Sequence, residues 1–62
     1  MYITDEQWRQ MIQDALIIRR RIMESGKMAT KTIVEDELIP MHNIDRGLAH
    51  SVMNHIEYHN LR

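Results

Sequence analysis

A well-marked helix start near the N-terminus is the feature that most constrains this 62-residue chain. Thr4 and Gln7 have the S/T-x-x-E/Q spacing of a capping box, in which each side chain binds the backbone N–H of the other residue. Ile3 and Trp8 occupy the two positions of a hydrophobic staple, which fixes how the chain enters a helix. Together these signals predict a helix over about 5–25.

The apolar side chains of this helix spread over an arc of roughly 160° when each residue turns the helix by about 100°. Such an arc is wider than a seam for one neighbouring helix, so the helix is expected to touch two neighbours. The core of a three-helix domain explains the arc without a partner, whereas the functional interpretation assigns part of it to another chain. The predicted partner-binding residues are Trp8, Met11, Ile12, Ala15, Ile18, Arg19 and Ile22.

Arg19 falls within this arc, about 20° from Trp8, and burying an unpaired guanidinium is costly. Its stem can pack on apolar neighbours while the head group reaches water. The alternative is an ion pair with Glu35, Glu37 or Asp45 from the acidic half of the chain.

Two shorter helices are predicted in the remainder of the chain. Thr32 and Glu35 form a second capping-box match, which predicts a helix over about 32–39 that Pro40 ends. Because two β-branched residues follow Thr32, a short extended segment is the competing interpretation.

Asn43 is a suitable N-cap for a last helix over about 44–60. Gly26 can adopt the left-handed conformation that ends the first helix. The sequence therefore predicts one all-α domain over residues 1–62, folded as a helical hairpin or a three-helix arrangement.

Composition favours self-association of this domain. The chain has no cysteine, so disulfides and thiolate metal sites are excluded. A core of this size is marginal, and small domains are commonly stabilised by a metal or a partner subunit. Residues 1–31 carry six basic and four acidic side chains, whereas residues 32–62 carry two and five. These complementary halves favour packing of one on the other, within one chain or between two copies.

Two histidines on the last predicted helix form the one candidate metal site. His55 and His59 are four residues apart, which places both imidazoles on one side of a helix. A metal needs at least a third ligand, such as His42 or a residue of another subunit. The favoured interpretation is that both histidines border the apolar stripe and form hydrogen bonds at a packed edge. A pH-sensitive contact with a partner is the further alternative.

A DNA-binding helix-turn-helix is the main alternative function. The last two predicted helices have the required order, and Arg46, His50, Ser51 and Asn54 would be the exposed polar side chains of a recognition helix. Binding of nucleic acid depends first on neutralising phosphates. Residues 32–60 carry one arginine and five acidic side chains, which disfavours this function.

Other classes have little support in the sequence. No nucleophile lies beside a suitable base and no glycine-rich phosphate loop is present, so neither an enzyme nor a bound cofactor is expected. No apolar run approaches the ~20 residues of a transmembrane helix. The first eight residues, MYITDEQW, are polar and acidic and do not resemble a signal peptide. The expected location is the cytoplasm.

The sequence thus predicts a non-enzymatic protein–protein interaction module that forms a homodimer and binds a larger protein through an apolar helical face. Its size is comparable to that of small bacterial or phage accessory proteins. A DNA-binding regulator is the first alternative, and a histidine-based metal-binding protein is the second.

Overall fold

The computed structural model describes residues 3–62 and contains three α-helices. They are α1 (Asp5–Glu24), α2 (Lys31–His42) and α3 (Arg46–Tyr58), and no strand occurs within the described range. The predicted all-α, three-helix arrangement is confirmed. The first two residues of the predicted domain lie outside the described residues.

Polar contacts between the helices define their directions. The end of α2 lies beside the middle of α1, where His42 Nε2 is 2.7 Å from Asp14 Oδ2. The start of α2 lies beside the end of α3, where Lys31 Nζ is 2.9 Å from Glu57 Oε2. Helix α2 is therefore antiparallel to both neighbours, and α1 and α3 run in the same direction. The Lys31–Glu57 pair also joins the basic half of the sequence to the acidic half, as the charge distribution predicts.

The core lies between the three helices and excludes water from most of their inward-facing side chains. Burial of these side chains is the main favourable contribution to folding. Its residues are Met11, Ala15, Ile18, Ile22, Val34, Leu38, Ile44, Ala49, Val52, Met53 and Ile56.

Helix α1 starts as its sequence predicts. The backbone N–H of Gln7 donates to Thr4 Oγ1 at 3.1 Å, and the backbone N–H of Thr4 donates to Gln7 Oε1 at 2.9 Å. At the other end Gly26 has a φ of 84°, and Lys27 N donates to Ile22 O at 3.2 Å. This is the left-handed turn that commonly satisfies the last carbonyl groups of a helix.

Helix α2 begins one residue earlier than predicted and uses a different N-cap. Thr30 Oγ1 accepts from the backbone N–H of Ile33 at 3.3 Å. The predicted Thr32–Glu35 capping box does not form, because the side chain of Glu35 is turned into the protein interior. The extended alternative for this segment is wrong, because residues 31–42 are helical.

The N-cap assignment predicts opposite results for two nearby threonines. Thr30→Ala is expected to lower the free energy of unfolding by about 1 kcal/mol, because Ile33 N–H loses its acceptor. Thr32→Ala is expected to change it by less than about 0.5 kcal/mol, because Thr32 is exposed and alanine favours a helix interior. Urea denaturation at 25 °C measures both changes. A larger loss for Thr32→Ala would contradict the observed start of α2.

Pro40 lies inside α2 instead of ending it, and the helix continues to His42. Proline removes one backbone donor from a helix interior, the one that would bind the carbonyl group four residues earlier, and α2 continues for two residues beyond Pro40. Asn43 is not the N-cap of the last helix. It has a φ of 53° and ends α2, with Ile44 N donating to Ile39 O at 3.1 Å.

Asp45 is the N-cap of α3, and its Oδ1 accepts from the backbone N–H of Leu48 at 2.8 Å. The last helix therefore starts two residues later than predicted and ends at Tyr58 rather than near residue 60. Asn60, with a φ of 54°, forms the terminal turn, and Leu61 N donates to Ile56 O at 2.9 Å. No helix within residues 3–62 is long and apolar enough to cross a membrane.

Candidate protein-binding surface

Helix α1 carries two parallel apolar stripes, and only one of them is fully buried. The buried stripe consists of Met11, Ala15, Ile18 and Ile22, none of which is more than 8% exposed. These four were predicted to bind a partner. Because α2 and α3 cover them, they are not accessible on the folded chain, and the core interpretation accounts for them.

The second stripe, which we call the outer seam, consists of Trp8, Ile12, Leu16, Arg19 and Met23. Its members are spaced four or three residues apart, which places them in a row along a helix. The first four are half-buried, and Met23 is 57% exposed. The apolar arc of α1 is thus divided between the core and a surface that remains accessible to a partner.

Three predicted partner-binding residues, Trp8, Ile12 and Arg19, belong to the outer seam. Sequence reasoning did not include Leu16 and Met23 in the predicted surface. The signal that could have identified them is the four-three-four spacing of residues 12, 16, 19 and 23, which repeats the spacing of the buried stripe one residue later.

Aromatic rings extend the outer seam at its N-terminal end. The ring of Trp8 contacts that of His55 edge-to-face, with a centroid distance of 5.4 Å. His55 and His59 have ring centroids 4.3 Å apart, and Tyr58 contacts His59 at 5.1 Å. Tyr58 is 86% exposed. Four rings therefore form a continuous surface across α1 and the end of α3.

The histidines on α3 thus contact aromatic rings at the edge of the protein. His55 is half-buried and His59 is exposed. No hydrogen bond to either imidazole is present among the described residues, unlike the favoured sequence interpretation. His42 is engaged elsewhere with Asp14. Residues 3–62 contain no group of three or more histidine, cysteine or acidic side chains placed to hold a metal ion.

A basic depression lies at the C-terminal end of the outer seam. It has a volume of about 420 Å³ and is open to solvent. Arg19 donates from its guanidinium to the carbonyl oxygen of Leu61 at 2.8 Å, which holds the chain end beside α1. The lining residues are Leu16, Arg19, Arg20, Met23 and Arg62.

The alternative interpretation, an ion pair of Arg19 with an acidic residue, is wrong, because each proposed carboxylate has another role. Glu35 binds Arg46 and His50, and Glu37 binds Arg21. The third candidate, Asp45, is the N-cap of α3. Arg19 instead donates one hydrogen bond to the backbone carbonyl of Leu61.

Glu35 is the single buried charged residue among those described, at 3% exposure. Its Oε1 accepts from Arg46 at 3.1 Å, and its Oε2 lies 3.1 Å from His50 Nδ1. Arg46 also donates to Asp36 at 2.6 Å. Hydrogen bonds to the side chains of Asp36 and Glu35 raise the pKa of Arg46 above its usual value. This cluster joins the start of α3 to the middle of α2.

The four residues predicted for nucleic-acid binding lie on α3, and each has a polar contact within the chain. Arg46 and His50 contact carboxylates of α2. Ser51 Oγ donates to the backbone carbonyl of Gly47 at 3.1 Å, and Asn54 Oδ1 accepts from Lys31 at 3.4 Å. Arg46 and His50 therefore lie beside acidic side chains, which repel phosphate.

Comparison with protein-family models, with characterised protein sequences and with solved structures gives no match to this chain.

Proposed function

We propose that this chain is a non-enzymatic protein-binding module that engages a larger protein through the outer seam of α1. The observation that carries the proposal is the second apolar stripe, which runs the length of α1 and stays half-exposed beside a complete core. A row with this spacing fits the apolar face of a partner helix. A cytoplasmic location is part of the proposal, and the absence of cysteine is compatible with a reducing compartment.

The two ends of the outer seam strengthen this proposal. Tryptophan, tyrosine and arginine are the residue types that most often contribute strongly to protein–protein affinity. Trp8 and Tyr58 lie at one end of the seam, and Arg19 and Arg20 lie at the other. Methionine adapts its shape to a partner because its side chain is unbranched and polarizable, and Met23 is the most exposed member of the seam.

Two exposed apolar residues of α1 provide a matched test. Met23 is 57% exposed on the outer seam, whereas Ile17 is 60% exposed on the polar side of the helix. An affinity-tagged chain is incubated with extract of the organism that encodes it, and captured proteins are quantified by mass spectrometry. We expect the wild type and Ile17→Glu to enrich the same partner, and Met23→Glu to retain about tenfold less of it.

The comparison of the two variants decides the outcome. Equal enrichment by Met23→Glu and Ile17→Glu, or no protein enriched by the wild type over Met23→Glu, would contradict the proposed surface. Circular dichroism of both variants verifies that they remain helical. The homodimer that the sequence predicts is a competing occupant of the outer seam, and sedimentation of the wild type across dilution measures it directly.

A further inference from the structure

The basic depression concentrates positively charged side chains. Arg19, Arg20 and Arg62 line it together with two apolar side chains, and no acidic side chain is part of its lining. Three guanidinium groups beside one small apolar surface favour an anionic ligand with an apolar part.

The chain pairs other arginines but not these. Arg21 and Arg46 each have a carboxylate within 4.0 Å. Within residues 3–62, no acidic side chain lies that close to Arg20 or Arg62. Arg19 uses one of its donors on the Leu61 carbonyl, and a planar guanidinium has five. Donors on all three arginines therefore remain available to a ligand.

The apolar part of the depression continues along the outer seam. Leu16 and Met23 line the depression and are seven residues apart, so they lie on the same side of α1 about two turns from each other. A partner helix packed along α1 places its own apolar residues against such positions at intervals of three and four residues. Carboxylates that flank those residues would then reach the arginines.

We propose that the outer seam binds an acidic amphipathic helix of the partner protein. Its apolar residues pack on Leu16 and Met23, and its carboxylates accept hydrogen bonds from Arg19, Arg20 and Arg62. This inference rests on the proposed function and adds the chemistry of the partner. Charge-assisted hydrogen bonds of arginine to carboxylate are strong and directional, so they fix the register of the bound helix.

The charges of the outer seam and the basic depression also favour an acidic helix over the other ligands that this surface could bind. A second copy of this chain packed along the seam would bring three more arginines and no acidic side chain of its own depression to the contact, which adds positive charge to the interface. For nucleic acid, a row of phosphates would meet the acidic side chains of residues 32–62, which outnumber the basic ones five to two. An acidic helix would contact only the basic depression and the outer seam, so it would not meet these acidic side chains.

The single tryptophan of the chain, Trp8, lies on the outer seam and reports binding through its fluorescence. The probe is a synthetic helical peptide of about 21 residues, about 30 Å long, with leucines at three-four spacing and flanking glutamates. A matched peptide carries glutamine in place of each glutamate. We expect the glutamate peptide to bind the full chain about tenfold more tightly at low salt. This difference should shrink near 0.5 M salt, where charges are screened within about 4 Å.

Two neighbouring arginines supply matched variants. Arg20→Gln is expected to weaken binding of the glutamate peptide about fivefold, the effect of losing one charged contact. Arg21→Gln should change it less than about twofold, because Arg21 faces α2 and binds Glu37. Thermal melts confirm that both variants are folded.

Several results would overturn the inference. They are equal affinity for the two peptides, equal weakening by both arginine variants, and tighter binding of duplex DNA or of vesicles containing anionic lipid than of the glutamate peptide. A dimer of the free chain that dissociates when Met23→Glu is introduced would also overturn it. If capture of a partner depends on Met23 but the glutamate peptide has no advantage, the proposed function stands and the acidic helix is wrong.

Discussion

Ile18→Ala is expected to lower the free energy of unfolding by about 2–5 kcal/mol, because the truncation leaves a cavity in a packed core. Ile18 is 2% exposed and lies in the buried stripe of α1. A domain of this size has a total stability on the order of 3–5 kcal/mol. The variant should therefore lose a large part of its stability at 25 °C, as measured by far-UV circular dichroism and urea denaturation.

The adjacent isoleucine is the control for this prediction. Ile17 is 60% exposed on the polar side of α1. Ile17→Ala removes the same atoms from a solvated position and should leave the free energy of unfolding within about 0.5 kcal/mol of the wild type. Similar stability of the two variants would mean that Ile18 is not in the core and is accessible to a partner, as the sequence alone predicts.

Glu35→Ala is expected to lower the free energy of unfolding by about 2 kcal/mol, through the loss of charged hydrogen bonds at a buried position. Glu35 is 3% exposed and is the acceptor that Arg46 and His50 of α3 share. Both partners are more than half exposed and regain water when Glu35 is removed, so the loss stays below that of an isolated buried charge. Urea denaturation at pH 7 measures the change.

Asp36→Ala is the matched variant for Glu35→Ala. Asp36 also binds Arg46, but 56% of its side chain is exposed. Exposed ion pairs contribute little, so the expected change is below about 1 kcal/mol. If the two variants lose the same stability, the contact between Glu35 and α3 does not stabilise the fold.

Local sequence signals predicted the ends of a helix correctly where only one residue nearby could fill the capping role. Thr4 and Gln7 form a capping box, and the predicted start of α1 is confirmed. Gly26 ends this helix in the left-handed conformation, as predicted. Both features depend on contacts within one helical turn, which the sequence specifies directly.

Local signals failed where two residues could fill one role. Thr30 and Thr32 both lie near the start of α2, and the pattern favoured Thr32 as the N-cap because Glu35 follows it three residues later. In the folded protein the side chain of Glu35 binds Arg46 of α3 instead of capping α2, and Thr30 is the N-cap. Asn43 was likewise a suitable N-cap by residue type, but asparagine also tolerates positive φ, and it ends α2.

The partner-binding surface predicted on α1 was also only partly correct, because local patterns do not show how the helices pack. Periodicity identified the apolar arc of α1 correctly, but it does not reveal which part of an arc neighbouring helices cover. Ile18 and Ile22 were covered, while Leu16 and Met23 were left accessible. The arginine depression could not be predicted, because Arg62 is distant in sequence from Arg20 and reaches it only through the fold.

The hydrogen bond from Arg19 to Leu61 holds residues 61 and 62 at the rim of the basic depression. Any polypeptide fused after Arg62 would emerge there. A short acidic linker at that junction would be tethered beside the guanidinium groups at a local concentration in the millimolar range, characteristic of short flexible tethers. Such a fusion would compete with an incoming partner, so reporter domains and purification handles are better attached through neutral or basic linkers.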